Sequence, residues 1–340
     1  MKLFLVGSDN EFAIENFYVK YLNEAGVEVF HFPAQTLFYK FYHRGVVNKL
    51  LYRSGFSKIL KTINEEFKSR VEDFKPDIIW IFKGMEIFPQ SLEWARSAGI
   101  KLANFNGDSP FIFSGRGSGN KNVSDSLGLY DLFLTYNNVD RDTMKSKFNV
   151  RSEILPFGFD VDEKLFEECK ELEEVNKVCF VGNPDSIRAD FIKKLAEKGI
   201  EIDVYGTSWN RFLNHSKVRI FNSVRHHDFW KTLSKYRVQL NLMRPHNTTT
   251  HNMRTFECGG IGAIQLAPDT PDHRLFFKNE EEIFLFQTLE ECVQKIEYLL
   301  KMPVKEAHGI RGNSRKRSLQ DNYSYRCRSM QALAWLKEIN

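Results

Sequence analysis

The chain has 340 residues and no apolar run near the roughly 20 that a membrane-spanning helix needs; its longest are strand-sized, such as Asp77–Phe82. Its five cysteines (169, 179, 258, 292, 327) form no Cys-x-x-Cys pair. That excludes a disulfide framework and the familiar zinc patterns, and predicts a reducing, cytoplasmic setting. The opening MKLFLVG runs into Ser8-Asp9-Asn10-Glu11 without a small-residue cleavage site, so it reads as a first strand and not a signal peptide. P-loop, nucleophile-elbow and His-Glu-x-x-His motifs are all missing. His226-His227-Asp228 is a poor metal trio, because neighbouring side chains diverge, and Asp228 reads as a helix N-cap. No bound metal and no cofactor are expected.

One absence is local. Between Glu28 and Glu65 there is no acid, while Lys40, Arg44, Lys49, Arg53, Lys58 and Lys61 share the stretch with eight Phe and Tyr residues. Basic, aromatic helices of this kind lie on anionic membrane surfaces. Residues 29–64 are therefore a candidate for peripheral contact with the inner face of a membrane, against the plainer reading of core aromatics and solvated cations. Overall, 48 Lys and Arg against 44 Asp and Glu leave a net charge of only +4, so no nucleic-acid partner is expected.

What the chain does have is ample apolar content (42%) and a repeated alternation of short apolar runs with longer amphipathic segments. That pattern predicts an α/β protein with parallel sheets and crossover helices. In the first half, strands are expected at Lys2–Val6, Val27–Phe32, Asp77–Phe82, Lys101–Phe105, Asp131–Tyr136 and Glu153–Leu155. Helices are expected at Phe12–Ala25, much of 46–72, Gln90–Ala98 and Asp140–Lys147. The second half restarts with strands at Lys177–Val181, Glu201–Tyr205, Val238–Leu242, Gly262–Leu266 and Ile283–Phe286. Its helices fit Ser186–Lys198, His227–Lys235, Asn252–Cys258 and Leu289–Lys301, with one more amphipathic helix in 320–340. The domain reading is thus 1–160, an acidic linker at 161–176, 177–319, and a terminal helix at 320–340. Ligands of such sheets sit at the carboxyl ends of the strands, in the cleft expected between two doubly wound domains.

The segment Asn241–Pro268, NLMRPHNTTTHNMRTFECGGIGAIQLAP, carries the most chemistry. A strand, a polar loop and a short helix starting near Asn252 are read there, with the helix stopping at Gly259-Gly260. A helix start offers free N–H groups and a positive dipole end, a seat for phosphate. Arg254 in the first turn adds a guanidinium for the same anion. Glu257 follows three residues on along the same face, where its carboxylate can accept both ribose hydroxyls. The plainer reading is a surface Arg–Glu pair. Candidate bases lie in the first half: Asp9 after the first strand and Asp108 after the fourth, with Asp108 alternatively a turn cap ahead of Pro110. Glu11, and Arg116 in the loop SGRGSGN, are candidates for touching an acceptor.

Several of these motifs together resemble the donor-binding half of GT-B fold glycosyltransferases, and most closely the CgeB-like group, named after a spore-maturation protein. They are VCFVGNPDSIR at Val178–Arg188, Val204-Tyr205-Gly206-x-x-Trp209, His251-Asn252-x-Arg254-x-Phe256-Glu257, and NYSYR at Asn322–Arg326, which resembles the start of the helix that crosses back to the first domain. The resemblance covers about 175–335 and is weaker before that, where Asp108-Ser109-Pro110 and Pro156-x-Gly158 anchor it. It implies two Rossmann-like domains facing a cleft, with an N-terminal acceptor domain and a C-terminal nucleotide-sugar domain. It also implies a metal-independent transfer of a sugar from a nucleoside diphosphate, UDP or GDP, to a saccharide or lipid-linked acceptor. By this resemblance Glu257 grips the ribose, Arg188, Arg254 and Asn252 face the diphosphate, and Gly182-Asn183 supply backbone. One departure stands out. Retaining members carry a Glu eight positions before the ribose Glu, and here that position is Thr249, which leaves stereochemistry open. A nucleotide-sugar epimerase on the same scaffold, or a non-catalytic nucleotide-binding protein, are the alternative readings.

Overall fold

The computed structural model describes residues 1–113, 117–244 and 247–340. They divide into two compact units, Met1–Pro156 with Tyr325–Asn340, and Phe157–Ser324. Each is built on one six-stranded, all-parallel sheet.

The first unit runs β1 (Lys2–Val6), α1 (Ile14–Glu24), β2 (Glu28–Phe32), α2 (Ala34–His43), α3 (Val46–Arg53), α4 (Ile59–Phe74), β3 (Ile78–Phe82), α5 (Pro89–Ser97), β4 (Lys101–Asn106), α6 (Lys121–Ser126), β5 (Leu132–Thr135), α7 (Asn138–Phe148) and β6 (Arg151–Ile154). Its sheet order is β2-β1-β3-β4-β5-β6. β3, Ile-Ile-Trp-Ile-Phe, is buried at every position, as a strand covered on both faces must be. The terminal helix, α15 (Tyr325–Ile339), belongs to this unit: Tyr325 stacks on Phe17 of α1 at 4.6 Å and Arg326 pairs with Glu24 at 2.6 Å.

The second unit contains α8 (Glu163–Lys170), β7 (Val175–Val181), α9 (Ser186–Glu197), β8 (Ile202–Tyr205), β9 (Val218–Phe221), α10 (His226–Lys235), β10 (Tyr236–Leu240), α11 (Met253–Ile261), β11 (Gln265–Pro268), α12 (Pro271–Phe276), β12 (Phe284–Phe286), α13 (Leu289–Lys301) and α14 (Val304–Gln320). The order β12-β11-β10-β7-β8-β9 reverses direction beside β7, the switch point at which such sheets open a crevice.

Most expected elements exist, with shifted ends. The helix expected over much of 46–72 is two, α3 and α4, and the acid-free stretch carries α2 ahead of them. Residues 161–176, expected as a linker, carry α8 and the first two residues of β7. Six elements were not foreseen: α2, α6, α8, α12 and α14, and the edge strand β9. Asp228 is not a cap, because α10 starts earlier, behind Arg225.

The clearest correction concerns Gly259 and Gly260. They do not stop α11, which continues to Ile261 and ends on Gly262 in the left-handed conformation (φ 69°). The pair is there for close packing. A Cβ on Gly259 would sit 2.5 Å from Ser318 Oγ on α14, and one on Gly260 2.3 Å from the Phe159 ring. Side-chain-free helix surface lets α14 and the chain before α8 press against the backbone of α11.

Gly206 shows the same logic against backbone: its Cβ would meet the Gly182 carbonyl oxygen at 2.2 Å, while Trp209 Nε1 donates to that same oxygen at 2.8 Å. Backbone cannot step aside, so Gly206→Ala is expected to destabilise the protein by roughly 1–3 kcal/mol. Gly309, inside α14 with nothing within 4 Å, is the control: Gly309→Ala should stabilise by about 0.5–1 kcal/mol. Urea unfolding of both variants checks the contrast, and equal effects would contradict the packing account.

Candidate functional site

In the second unit the named donor residues gather at the carboxyl edge of β7 and β10. Asn252 is the N-cap of α11: its Oδ1 accepts the Thr255 N–H at 3.2 Å, and the Thr255 hydroxyl returns to the Asn252 N–H at 3.3 Å. Its amide also exchanges hydrogen bonds with the Asn241 amide at 2.7 and 3.1 Å, fixing the helix start beside the end of β10. His273 completes this support. Its Nδ1–H donates to Pro268 O at 2.7 Å, leaving Nε2 to accept the Thr255 hydroxyl at 3.0 Å. Burial pushes the His273 imidazole down to about 4, so it is neutral at physiological pH and keeps this role.

Arg254 leaves the first turn of α11 and donates to Val181 O, the last carbonyl of β7, at 3.0 Å. Its other amino group holds Glu257 Oε2 at 2.8 Å, and the guanidinium lies over the Phe229 ring at 4.6 Å. Its Nε is buried without a partner. Glu257 is 13% exposed; burial raises its carboxyl above the usual range, against the pull of Arg254. Arg188 comes from α9, whose start is capped by Asp185. It donates twice to Leu242 O, at 2.7 and 3.1 Å, and once to Asn183 O at 3.2 Å. Arg188 thereby ties the loop after β7 to the loop after β10. Burial, and repulsion from Arg244 and Arg254, push its guanidinium down to about 10, still charged at neutral pH. Three guanidinium groups close enough to repel, beside a helix start, form a field that an anion relieves. Arg244 is the member that sequence reasoning passed over, though it sits inside the segment singled out.

Gly182 and Asn183 follow β7 directly. Trp209 holds the Gly182 carbonyl, and Thr207 donates to Asn183 Oδ1 at 3.1 Å, so the β8 loop braces the β7 loop. On the far side of the helix start, His251 Nδ1 donates to Asp272 at 2.7 Å and its ring packs edge-on to Phe157, Phe256 and Phe276. Thr249 is exposed in the loop before it.

In the first unit, Asp108 lies past β4 and is ion-paired: its Oδ2 is 2.5 Å from Lys83 Nζ, which also donates to Gly117 O at 2.7 Å. Asp9 and Glu11 are exposed in the loop after β1, with the Asp9 N–H donating to Thr36 Oγ1 on α2 at 3.2 Å. Arg116 lies outside the described residues. Three residues near Asp108 were not foreseen. Lys83, at the end of β3, adopts φ 61°, an uncommon backbone for a non-glycine residue and one found at functional sites. Glu15, in the first turn of α1, is buried, and its Oε1 accepts the Ser8 N–H at 3.0 Å; a Cβ on Gly7 would fill its place. Glu86, in the loop after β3, is buried as well. Burial raises both carboxyls, Glu86 to about 7, while Lys83 pulls both down. A lysine at the end of an all-apolar strand was the one available sequence signal.

The sign for Glu86 is definite. In the folded chain it keeps its proton up to about 7, whereas an unfolded Glu loses it near 4.5. Stability therefore falls as pH rises through that window, by roughly 3 kcal/mol at most, and stays lowered above it. Glu86→Gln should be markedly more stable than wild type at pH 8 and nearly equal to it at pH 4.5. Urea unfolding at the two pH values reads this, and a pH-independent difference would contradict it.

Residues 188–334 match the family model described as "Glycosyl transferase-like". No curated protein matches the chain in sequence. Solved structures match nearly its whole length. Sucrose-phosphate synthase from Thermosynechococcus elongatus aligns at TM-score 0.66 and 12% identity, over 99% of this chain and 98% of that one. HepE from Anabaena, solved in complex with UDP-glucose, gives 0.66 and 11%, over 99% and 100%. A UDP-N-acetylglucosamine 2-epimerase described as putative, from Listeria monocytogenes, gives 0.59 and 11%, over 99% and 95%. At such identities the likeness is one of fold. The chain thus has the two-Rossmann-domain GT-B fold of glycosyltransferases, with a glycosyl transferase-like segment spanning 188–334.

Proposed function

We propose that the protein is a glycosyltransferase of the CgeB-like group that uses a nucleoside diphosphate sugar as donor. The observation that carries the reading is the arginine cluster, Arg188, Arg244 and Arg254, set around the N-terminus of α11 with Glu257 one turn away. A diphosphate supplies the anion that this cluster lacks. Its binding draws Arg254 from Glu257, and the freed carboxylate accepts the ribose hydroxyls. Asn252 keeps the helix start in place, and the Gly182-Asn183 backbone lines the diphosphate. Structural neighbours solved with UDP and UDP-glucose favour a uridine donor; GDP is the other base the site chemistry admits.

In the transfer, an acceptor hydroxyl oxygen attacks the anomeric carbon as the bond to the diphosphate oxygen breaks. The departing charge falls on Arg188, Arg254 and the α11 dipole. The hydroxyl proton goes to a first-unit carboxylate, with Asp108 preferred and Asp9 second. Lys83 orients Asp108 through their ion pair. Glu11 and Arg116 remain assigned to the acceptor. No metal enters this scheme. The epimerase reading shares the donor site, and product analysis without acceptor separates it: an epimerase converts the donor alone.

The acceptor in this proposal is a saccharide or a lipid-linked one. The reason for including lipid is α3, Val-Val-Asn-Lys-Leu-Leu-Tyr-Arg, none of whose residues is buried. Val46 is 71% exposed, Leu50 59% and, just beyond, Phe56 80%. These apolar groups stand among Lys40, Arg44, Lys49, Arg53 and Lys58, which suits the anionic inner face of a membrane.

A thermal-shift series with UDP, GDP, dTDP, ADP and CMP tests the donor site. One nucleoside diphosphate is expected to raise Tm by a few degrees at about 100 times its Kd, and Glu257→Ala should abolish that response. No shift with any diphosphate would remove the reading. Co-sedimentation with vesicles tests the surface. Binding to phosphatidylglycerol vesicles is expected to exceed binding to phosphatidylcholine, and Val47→Glu with Leu50→Glu should weaken it about tenfold. Equal binding by wild type and variant would exclude this surface.

A further inference from the structure

The sheet of the second unit has two ends, and the donor residues occupy only one. At the opposite end, where β7 and β10 begin, a cavity of about 650 Å³ opens between α8 and α14. The seven residues of β7 put roughly 20 Å between it and the Gly182 loop. It is open to solvent along one side, and its volume falls in the range of small-molecule sites.

The lining has two chemical halves. Phe166, Leu172, Ile261 and Leu319 make an apolar wall, and Leu319 is half exposed. The polar half is cationic. Lys235 and Lys316 line it, and neither has a carboxylate within ion-pair distance among the described residues. Of the two lining acids, Glu174 is already held by Arg237 and by Arg311 at 3.0 Å, and Glu171 is exposed. Arg315 also lines the cavity. It is buried, lies 4.2 Å over the Phe166 ring, and binds Gly260 O and Glu163 through its amino groups, which leaves its Nε–H without a partner.

We propose that this cavity is a second ligand site, taking an amphiphilic anion: a hydrocarbon chain along the Phe166–Leu319 wall and a phosphate or carboxylate head against Lys235, Lys316 and Arg315. The site shares no residue with the donor edge and stands independently of the proposed transfer reaction.

Isothermal titration of the full chain with octyl phosphate, octyl glucoside and inorganic phosphate tests it. Octyl phosphate is expected to bind once per chain, with the other two about tenfold weaker, since each supplies only half of the recognition. Lys235→Glu combined with Lys316→Glu should weaken octyl phosphate about tenfold, while Arg254→Gln, which removes an anion-binding guanidinium from the donor edge, leaves it unchanged. Leu319→Trp, at an exposed helix position, gives a second readout through indole emission on binding. Equal binding of octyl glucoside would reduce the site to an apolar hole. Loss of binding in Arg254→Gln would move the ligand to the donor edge. No heat and no emission change would overturn the proposal.

Discussion

Two arginines, Arg188 buried and Arg254 largely so, hold the candidate site together by donating to carbonyls at or just past strand ends. Parallel strands end in C=O groups with no further partner, and these must be satisfied if the edge is to be both buried and rigid. Arg188 takes Leu242 and Asn183; Arg254 takes Val181. The loops after β7 and β10 are thus tied to α9 and α11 through charged donors, not apolar packing. Removing either arginine strands acceptors and leaves Asp185 or Glu257 without its partner, the costly way to break a buried pair.

The same arrangement produces the function proposed for it. Arginines recruited to close a sheet edge repel one another, and the cluster is stabilised by whatever anion enters. Glu257 compensates Arg254 in the free protein at the expense of its own desolvation, and in the proposed reading the pair is exchanged for a diphosphate and a ribose. In that reading structural and binding roles are not separable, since the residues that hold the sheet edge are the ones proposed to take the anion. The first unit repeats the principle with a single cation. Lys83, in a left-handed backbone, serves Asp108 directly and lowers two buried carboxyls nearby.

The sheets were legible because parallel strands buried on both faces read as continuous apolar runs, as at Ile78–Phe82 and Val178–Val181. α14 was missed because its apolar positions are few and its glycines and cations obscure the period. β9 was missed because it is a four-residue edge strand, too short to show a pattern. Gly259-Gly260 was misread because a helix stop and a close helix contact leave one signature; only the position of Phe159 and Ser318 tells them apart. Arg254 and Glu257, by their spacing, and Arg188, by the resemblance, were singled out in the sequence, and the structure brings all three to one sheet edge. Glu15 and Glu86 were not, since nothing local marks a carboxyl that becomes buried by elements far along the chain. Arg315 and the cavity beside it depend on α8 and α14, which are about 150 residues apart in sequence and carry no shared motif.

The central claim is that the Arg254–Glu257 pair is a closed donor site. A crystal structure of the chain with the nucleoside diphosphate that stabilises it decides this directly. The account predicts the diphosphate within hydrogen-bond distance of Arg188 and Arg254, at the start of α11, and the ribose hydroxyls on Glu257 with the Arg254–Glu257 contact broken. A nucleotide bound elsewhere, or bound with that contact intact, would contradict it.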